Sequence, residues 1–243
     1  MIILYHLLLL LYFIVSLPLL LLKVFTGKAA QVKEQFGFLP RALLEDLKNQ
    51  KTVWIHGVSV GETVAASPIC AEIRRQFPHA RIVFSTVTAT GRAMAEKLIP
   101  ADHFIYFPFD LPMVVKRVFA RIKPVLVLIM ETELWPNFIQ VAHQMGVKVV
   151  LANGRISEKS FRRYQRLGPF FRDMLNKMDA LIMQSPQDVD YVLALGADKK
   201  RVYNYGNTKY DVKISPHVAG VEQRLANELQ LAGSSPVLVI GST

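Results

Sequence analysis

Four short segments carry residues whose types and spacing suit chemistry. In Gly57-Val58-Ser59-Val60-Gly61-Glu62 a carboxylate follows three small residues, Gly57, Ser59 and Gly61, which leave room for a substrate close to the backbone. A dinucleotide site would need G-x-G-x-x-G at such a turn, and a carboxylate there repels phosphate. Two roles fit Glu62. It is a first-turn acid favoured by the helix dipole, or a general base that accepts a proton from a hydroxyl. In Met130-Glu131-Thr132-Glu133-Leu134-Trp135-Pro136-Asn137 two acids follow an apolar run. On extended backbone, residues two apart point the same way. Glu131 and Glu133 therefore read as a metal pair, an acid/base pair, or one catalytic group beside one structural group. The plain alternative is a helix start with Trp135-Pro136 as a core-and-cap device, yet two acids beside a buried tryptophan are costly unless paired. In Gly206-Asn207-Thr208-Lys209-Tyr210-Asp211 the lysine offers a cation, for a leaving phosphate or for Asp211. Asn153 and Arg155 add an amide and a guanidinium. His56 reads as a satisfied strand-end histidine. No other His or Cys stands at metal-ligand spacing, so no metal site is expected.

These segments share one position relative to the elements around them. Strands are expected over Thr52–Val58, Arg81–Val87, Phe104–Phe107, Pro124–Met130, Lys148–Ala152, Ala180–Gln184 and Arg201–Tyr205. Helices are expected over Thr63–Phe77, Gly91–Leu98, Val114–Ile122, Phe138–Met145, Ser160–Met178, Gln187–Leu195 and Val221–Leu231. The clearest strand is Pro-Val-Leu-Val-Leu-Ile-Met, a continuous apolar run after a proline. Such regular alternation implies an α/β fold, a parallel sheet with helices on both faces. Sheets of this kind bind ligands beyond the carboxyl ends of their strands. Glu62, Glu131, Glu133, Asn153, Arg155, Gln184, Ser185, Asn207, Lys209 and Asp211 all follow strands, so one rim collects them.

The chain of 243 residues is 51% hydrophobic, which allows a sizeable core. Its single cysteine, Cys70, lies among apolar residues and reads as a core residue. The net charge of +10 favours anionic partners. Nucleic acid is not among them, because the cations are scattered and no zinc spacing, aromatic RNA-binding motif or basic run occurs. Ile2–Leu22 has no Asp, Glu, Lys or Arg. At the helical rise it spans roughly 30 Å, the thickness of a bilayer's hydrocarbon core. A cleaved signal peptide would want a basic start and a shorter apolar core. Lys23, Lys28 and Lys33 follow, so the positive-inside rule sets the bulk in the cytoplasm. The expected division is an anchor over residues 1–22, a basic membrane-proximal segment over 23–50, a Rossmann-like domain over 51–211, and a linker with the first strand of a further domain over 212–243. That last strand, Pro236–Ile240, runs into Gly241-Ser242-Thr243, and a strand ending in such a turn opens a domain.

Taken together, an apolar N-terminus, H-x-V-S-V-G-E, L-I-M-E-T-E-L-W-P-N and G-N-x-K-Y-D resemble the 3-deoxy-D-manno-octulosonic acid (Kdo) transferases of lipopolysaccharide synthesis. The resemblance runs from the apolar start to the end of the chain, with every motif in order. It implies a GT-B glycosyltransferase, two Rossmann-like halves facing a cleft, of which this chain supplies the acceptor half. It implies CMP-Kdo as donor, a lipid A precursor (lipid IVA) as acceptor, inversion at the anomeric centre, and no metal or other cofactor. It assigns Glu62 as proton acceptor, with Glu131 and Lys209 as transition-state stabilisers. Ser59, Gly61, Glu133, Asn153 and Arg155 are the expected substrate contacts at the same rim. The inner membrane, at its cytoplasmic face, is the expected location. On this reading most donor contacts lie beyond Thr243, and the chain by itself is not a competent enzyme. Two rival readings remain at this point: another membrane-anchored GT-B transferase using a UDP-sugar, and an acceptor-binding fragment without catalysis.

Overall fold

The computed structural model describes residues 2–211, 221–229 and 231. Seven strands form one sheet: β1 (Thr52–His56), β2 (Arg81–Thr86), β3 (His103–Tyr106), β4 (Pro124–Met130), β5 (Lys148–Gly154), β6 (Ala180–Met183) and β7 (Val202–Asn204). Their order is β3-β2-β1-β4-β5-β6-β7, and every neighbouring pair is parallel. The helices are α1 (Ile2–Lys23), α2 (Ala29–Gln35), α3 (Arg41–Asp46), α4 (Val60–Gln76), α5 (Ala89–Leu98), α6 (Pro112–Ile122), α7 (Pro136–Gln144), α8 (Glu158–Gln165), α9 (Gly168–Leu175), α10 (Pro186–Ala194) and α11 (Val221–Glu228). The chain moves outward from β1 to β3, returns through α6, and resumes at β4 on the other side of β1. Strand order therefore reverses between β1 and β4, where open α/β sheets hold their ligands.

Alternate residues of the central strands feed two apolar layers, as a period of two requires. Trp54, Val127 and Ile129 join the layer containing Phe119 and Phe138, while Val53, Ile55, Leu128 and Met130 join that of Phe84 and Cys70. Trp54 meets Phe138 edge-on at 4.9 Å between ring centres and donates to Ser85 Oγ at 2.8 Å. Each such aromatic pair adds about 0.5–1.5 kcal/mol beyond its buried area. Leu39, Leu43 and Leu47, from the basic segment, pack into the first layer.

Three sequence expectations shift. The helix expected over Ser160–Met178 is two helices, because Pro169 lacks an amide hydrogen and its ring displaces the preceding turn. The first strand stops at His56 and α4 begins at Val60, earlier than the hydrophobic pattern indicates. His56 is not fully satisfied: Nδ1 meets Ser85, the ring stacks on Phe107 at 3.8 Å, and the buried Nε2 has no partner. Burial pushes its pKa down to about 3, so the imidazole is neutral.

Helix α1 is apolar on all sides, and among the described residues it begins the one helix long and apolar enough to cross a membrane. The chain kinks at Thr26 and Gly27, the latter with φ of 83°. The start of α1 touches the sheet domain: Tyr5 Oη donates to Asp110 Oδ2 at 2.6 Å, and His6 Nε2 lies 2.8 Å from Asn137 Oδ1. Asp110 also accepts from the backbone amides of Asn137 at 3.0 Å and Phe138 at 2.7 Å, so it caps α7 from a distant loop. The strand expected at Pro236–Ile240 lies outside the described residues, and α11 belongs to a separate unit, Lys213–Thr243.

Candidate active site

Three loops meet beyond the carboxyl ends of β1, β4 and β7. The first is a helix start. Ser59 caps α4: its Oγ accepts from Glu62 N at 3.2 Å and donates to Glu62 Oε1 at 2.9 Å. Glu62 Oε2 accepts from Val58 N at 2.8 Å. This is the reciprocal Ser-x-x-Glu arrangement of a capping box, with the glutamate reaching the amide one residue before the cap. The S-x-x-E spacing was a legible signal for it. Glu62 is thus both a capping group and a carboxylate at the site. Burial raises its pKa, hydrogen bonds from Val58 and Ser59 oppose the rise, and the Glu131 charge adds to it.

The second loop follows β4. Glu131 N donates to Ala152 O at 2.9 Å, and the backbone then turns into the left-handed region at φ of 53°. For a residue with a Cβ this costs on the order of 1–2 kcal/mol. Extended geometry therefore ends at Met130, and the shared-direction argument for Glu131 and Glu133 does not apply; the turn brings both to the rim by another route. Glu133 Oε2 accepts from Trp135 Nε1 at 3.1 Å. Burial first, then the Glu62 and Glu131 charges, push the Glu133 pKa up to about 7. The three acids are close enough to feel one another. Even so, among the described residues no three His, Cys, Asp or Glu side chains are arranged to hold a metal ion.

The third loop brings the cation. Lys209 Nζ pairs with Glu131 Oε1 at 2.7 Å, across 78 positions, and not with Asp211 as the local sequence also allowed. Gly61 leaves space beside it: a Cβ there would stand 3.5 Å from Lys209 Nζ. Thr208 secures the loop, with Oγ1 donating to Ala65 O at 2.8 Å and N donating to Asn153 Oδ1 at 3.0 Å. Asn153 is buried in a left-handed turn at φ of 55°, where the pairing of β5 with β6 is irregular, and its Nδ2 has no partner. Gln184 ties the set together, donating to Asn153 O and accepting from Asn207 Nδ2. Arg155 is exposed, and its carbonyl accepts from Thr132 Oγ1 at 2.7 Å. Ser59 and Asn153 therefore position their neighbours, Gly61 provides room, and Glu62, Glu131, Glu133 and Lys209 form the charged centre. Thr208 is the positioning residue that sequence reasoning missed, and Trp135, read there as part of a core-and-cap device, also holds Glu133.

The Glu133 environment carries a pH signature. An unfolded glutamate ionises near pH 4.3, so between there and about pH 7 the folded chain binds more protons and loses stability as pH rises. In Glu133→Gln, the fall in melting temperature from about pH 5 to about pH 8 should shrink. An undiminished fall, measured by circular dichroism, would place the proton elsewhere.

Residues 30–212 match the family described as 3-Deoxy-D-manno-octulosonic-acid transferase (kdotransferase). The 3-deoxy-D-manno-octulosonic acid transferase of Haemophilus influenzae is 31% identical over 183 residues, 75% of this chain and 42% of that protein. That of Chlamydophila psittaci is 32% identical over 236 residues, 95% of this chain and 53% of that protein. The chain spans about half or less of the length of these curated relatives. Among solved structures, UDP-GlcNAc 2-epimerase from Neisseria meningitidis bound to UDP-GlcNAc superposes with a TM-score of 0.51 at 14% identity, covering 74% of this chain and 54% of that one. That likeness concerns the fold alone. The sheet is a Rossmann-like domain of the GT-B type.

Proposed function

The chain belongs to the Kdo transferase family, and from that membership we propose that it is the acceptor half of an inverting transferase moving Kdo from CMP-Kdo to a lipid A precursor (lipid IVA). One observation carries this reading: a capped, buried glutamate and a lysine–glutamate pair converge where strand order reverses. In the reaction an acceptor hydroxyl oxygen bonds to the anomeric carbon of Kdo. The bond from that carbon to the CMP phosphate oxygen breaks, and its electron pair leaves with CMP. The hydroxyl proton passes to Glu62, whose raised pKa makes it a stronger base than a free carboxylate. A positioned base of this kind is worth about 10²–10⁴-fold. Positive character develops on the sugar, as in other glycosyl transfers, and the Glu131 carboxylate opposes it. Lys209 offsets the negative charge leaving with CMP. Ser59, Gly61, Glu133, Asn153 and Arg155 complete the acceptor surface. No metal takes part in these steps.

The test is transfer in an extended enzyme, this chain followed by the C-terminal half of a family member. It is expected to transfer Kdo from CMP-Kdo to the lipid A precursor, and residues 1–243 alone are not. Turnover with a UDP-sugar but not CMP-Kdo would overturn the donor assignment, and turnover by the short chain would overturn the division of labour.

We place the chain at the cytoplasmic face of the inner membrane, with α1 as a single crossing. Crossing parts Tyr5 from Asp110 and His6 from Asn137, whereas a helix lying in the membrane plane keeps both bonds. A cysteine in place of Ile3 distinguishes these. Cys70 is buried and its thiol is pushed up to about 12, so it stays silent to thiol reagents. A membrane-impermeant reagent added to spheroplasts should label the Ile3→Cys chain; protection until lysis would replace the crossing with an in-plane helix.

A further inference from the structure

We propose that the outward face of α8 is a binding site for the phosphomonoester of a lipid headgroup, a proposal that rests on the lipid-borne acceptor argued above. The inward face of α8 is fixed by aromatic stacking, Phe161 on Tyr191 at 4.3 Å and Tyr164 on Phe171 at 4.0 Å between ring centres. The outward side is a hollow of about 710 Å³ lined by Glu158, Lys159, Ser160, Arg162, Arg163 and Arg166. One acid stands among four cations. Glu158 pairs with Arg162 at 2.5 Å, and among the described residues no carboxylate lies within ion-pair distance of Lys159, Arg163 or Arg166.

Part of this arrangement suits a solvated helix, since Glu158 pairs with Arg162, the last-turn arginines favour the dipole and Arg163 lies over the Tyr164 ring at 5.3 Å; the rest does not. Lys159 with Arg163, and Arg162 with Arg166, are like charges four residues apart, which destabilise a helix. An anion shared among them reverses the sign of that interaction. The cations cover about 10 Å of helix at the usual rise, and Ser160 adds a hydroxyl. Arginine forks match phosphate oxygens two at a time. A phosphomonoester, with up to two charges and three free oxygens, meets such a surface better than a diester does.

Placement gives the occupant. Thr132, between Glu131 and Glu133, donates to the carbonyl of Arg155 at 2.7 Å. Ile156 N is held by Asp188 Oδ1 at 2.7 Å, and α8 begins directly after. The basic face thus departs from the loop bonded to the charged centre. A lipid with its headgroup phosphate at α8 has its sugar hydroxyl on the side of the charged centre.

The test measures partitioning of the full chain onto vesicles, with no transfer reaction involved. Phosphatidylcholine vesicles are compared with the same vesicles doped with phosphatidic acid, a phosphomonoester, or phosphatidylglycerol, a phosphodiester. Helix α1 binds all three, so the preference is the readout. Preference for phosphatidic acid over phosphatidylcholine is expected to be about tenfold or more at low salt and to weaken as salt rises. It should exceed the preference for phosphatidylglycerol. Arg162→Gln/Arg163→Gln/Arg166→Gln should abolish it, Arg166→Gln alone should reduce it, and Arg162→Lys/Arg163→Lys/Arg166→Lys should retain part of it. Melting temperatures should stay within a few degrees, since Phe161 and Tyr164 are kept and the charges removed are exposed. An undiminished preference in the glutamine variants overturns the proposal. Equal binding to both anionic lipids reduces the site to diffuse charge attraction, and full competition by inorganic phosphate at equal concentration makes it a site for the free ion; either result also overturns it. If vesicle preference behaves as expected while the extended enzyme transfers nothing, the transferase reading fails and this one stands.

Discussion

Glu62→Gln is expected to lower kcat of the extended enzyme by at least about 10²-fold, the low end for loss of a general base, with little change in melting temperature. Geometry makes this substitution informative. The glutamine carbonyl can accept from Val58 N, and its amide can face Ser59 Oγ, which has a lone pair to spare. The capping box persists, and only a dipole contribution of about 0.3–1 kcal/mol is lost, a shift of a few degrees at this chain length. Were Glu62 a capping group alone, the same small change in melting temperature would come with near-normal turnover. Glu62→Ala removes box and base together and separates nothing. The pH profile adds a second reading. A base must be ionised, so kcat should fall as pH drops through the raised Glu62 pKa, and that limb should vanish in the glutamine variant. Near-normal kcat in Glu62→Gln would end the catalytic assignment.

Lys209→Met should show the other large effect, a fall in kcat of about 10²–10³-fold, the range for losing one charge-stabilising group. Stability should barely move. The lysine side chain is 39% exposed and its Glu131 partner 21%, and pairs with this much solvent contribute about 0–1 kcal/mol. Lys209→Arg keeps the charge and should recover part of the rate. Glu131→Gln and the double variant complete the set. If the two groups act together on one transition state, the double variant should be scarcely slower than either single one. Additive losses in kcat would show two independent roles, and losses confined to melting temperature would make the pair structural.

The parallel architecture was readable because buried strands announce themselves. Pro124–Met130 is an unbroken apolar run, and its boundaries coincide with β4. The rim was readable for the same reason, since strand ends fix where Glu62, Glu131 and Lys209 must lie. What escaped were interactions without local periodicity. The Lys209–Glu131 pair joins residues 78 positions apart, and nothing near Lys209 favours it over Asp211. The left-handed turn at Glu131 has no glycine or asparagine to mark it. Asp110 caps α7 from a loop 27 residues earlier, in place of the absent local cap at Trp135. By contrast, the break before α9 was written plainly as Gly168-Pro169, and helical periodicity on either side concealed it.

The long reach of the Thr208–Ala65 hydrogen bond, 143 positions, sets an order of events at the ribosome. Synthesis runs from the N-terminus and domains gain structure as they emerge. Glu62 is made early and Glu131 midway, but the loop that carries Lys209 is among the last parts of this domain to leave the exit tunnel. A nascent chain ending after β6 thus holds neighbouring acids with no cation between them. Thr208 docks on α4 only afterwards, so the charged centre is completed at the end of the domain's translation.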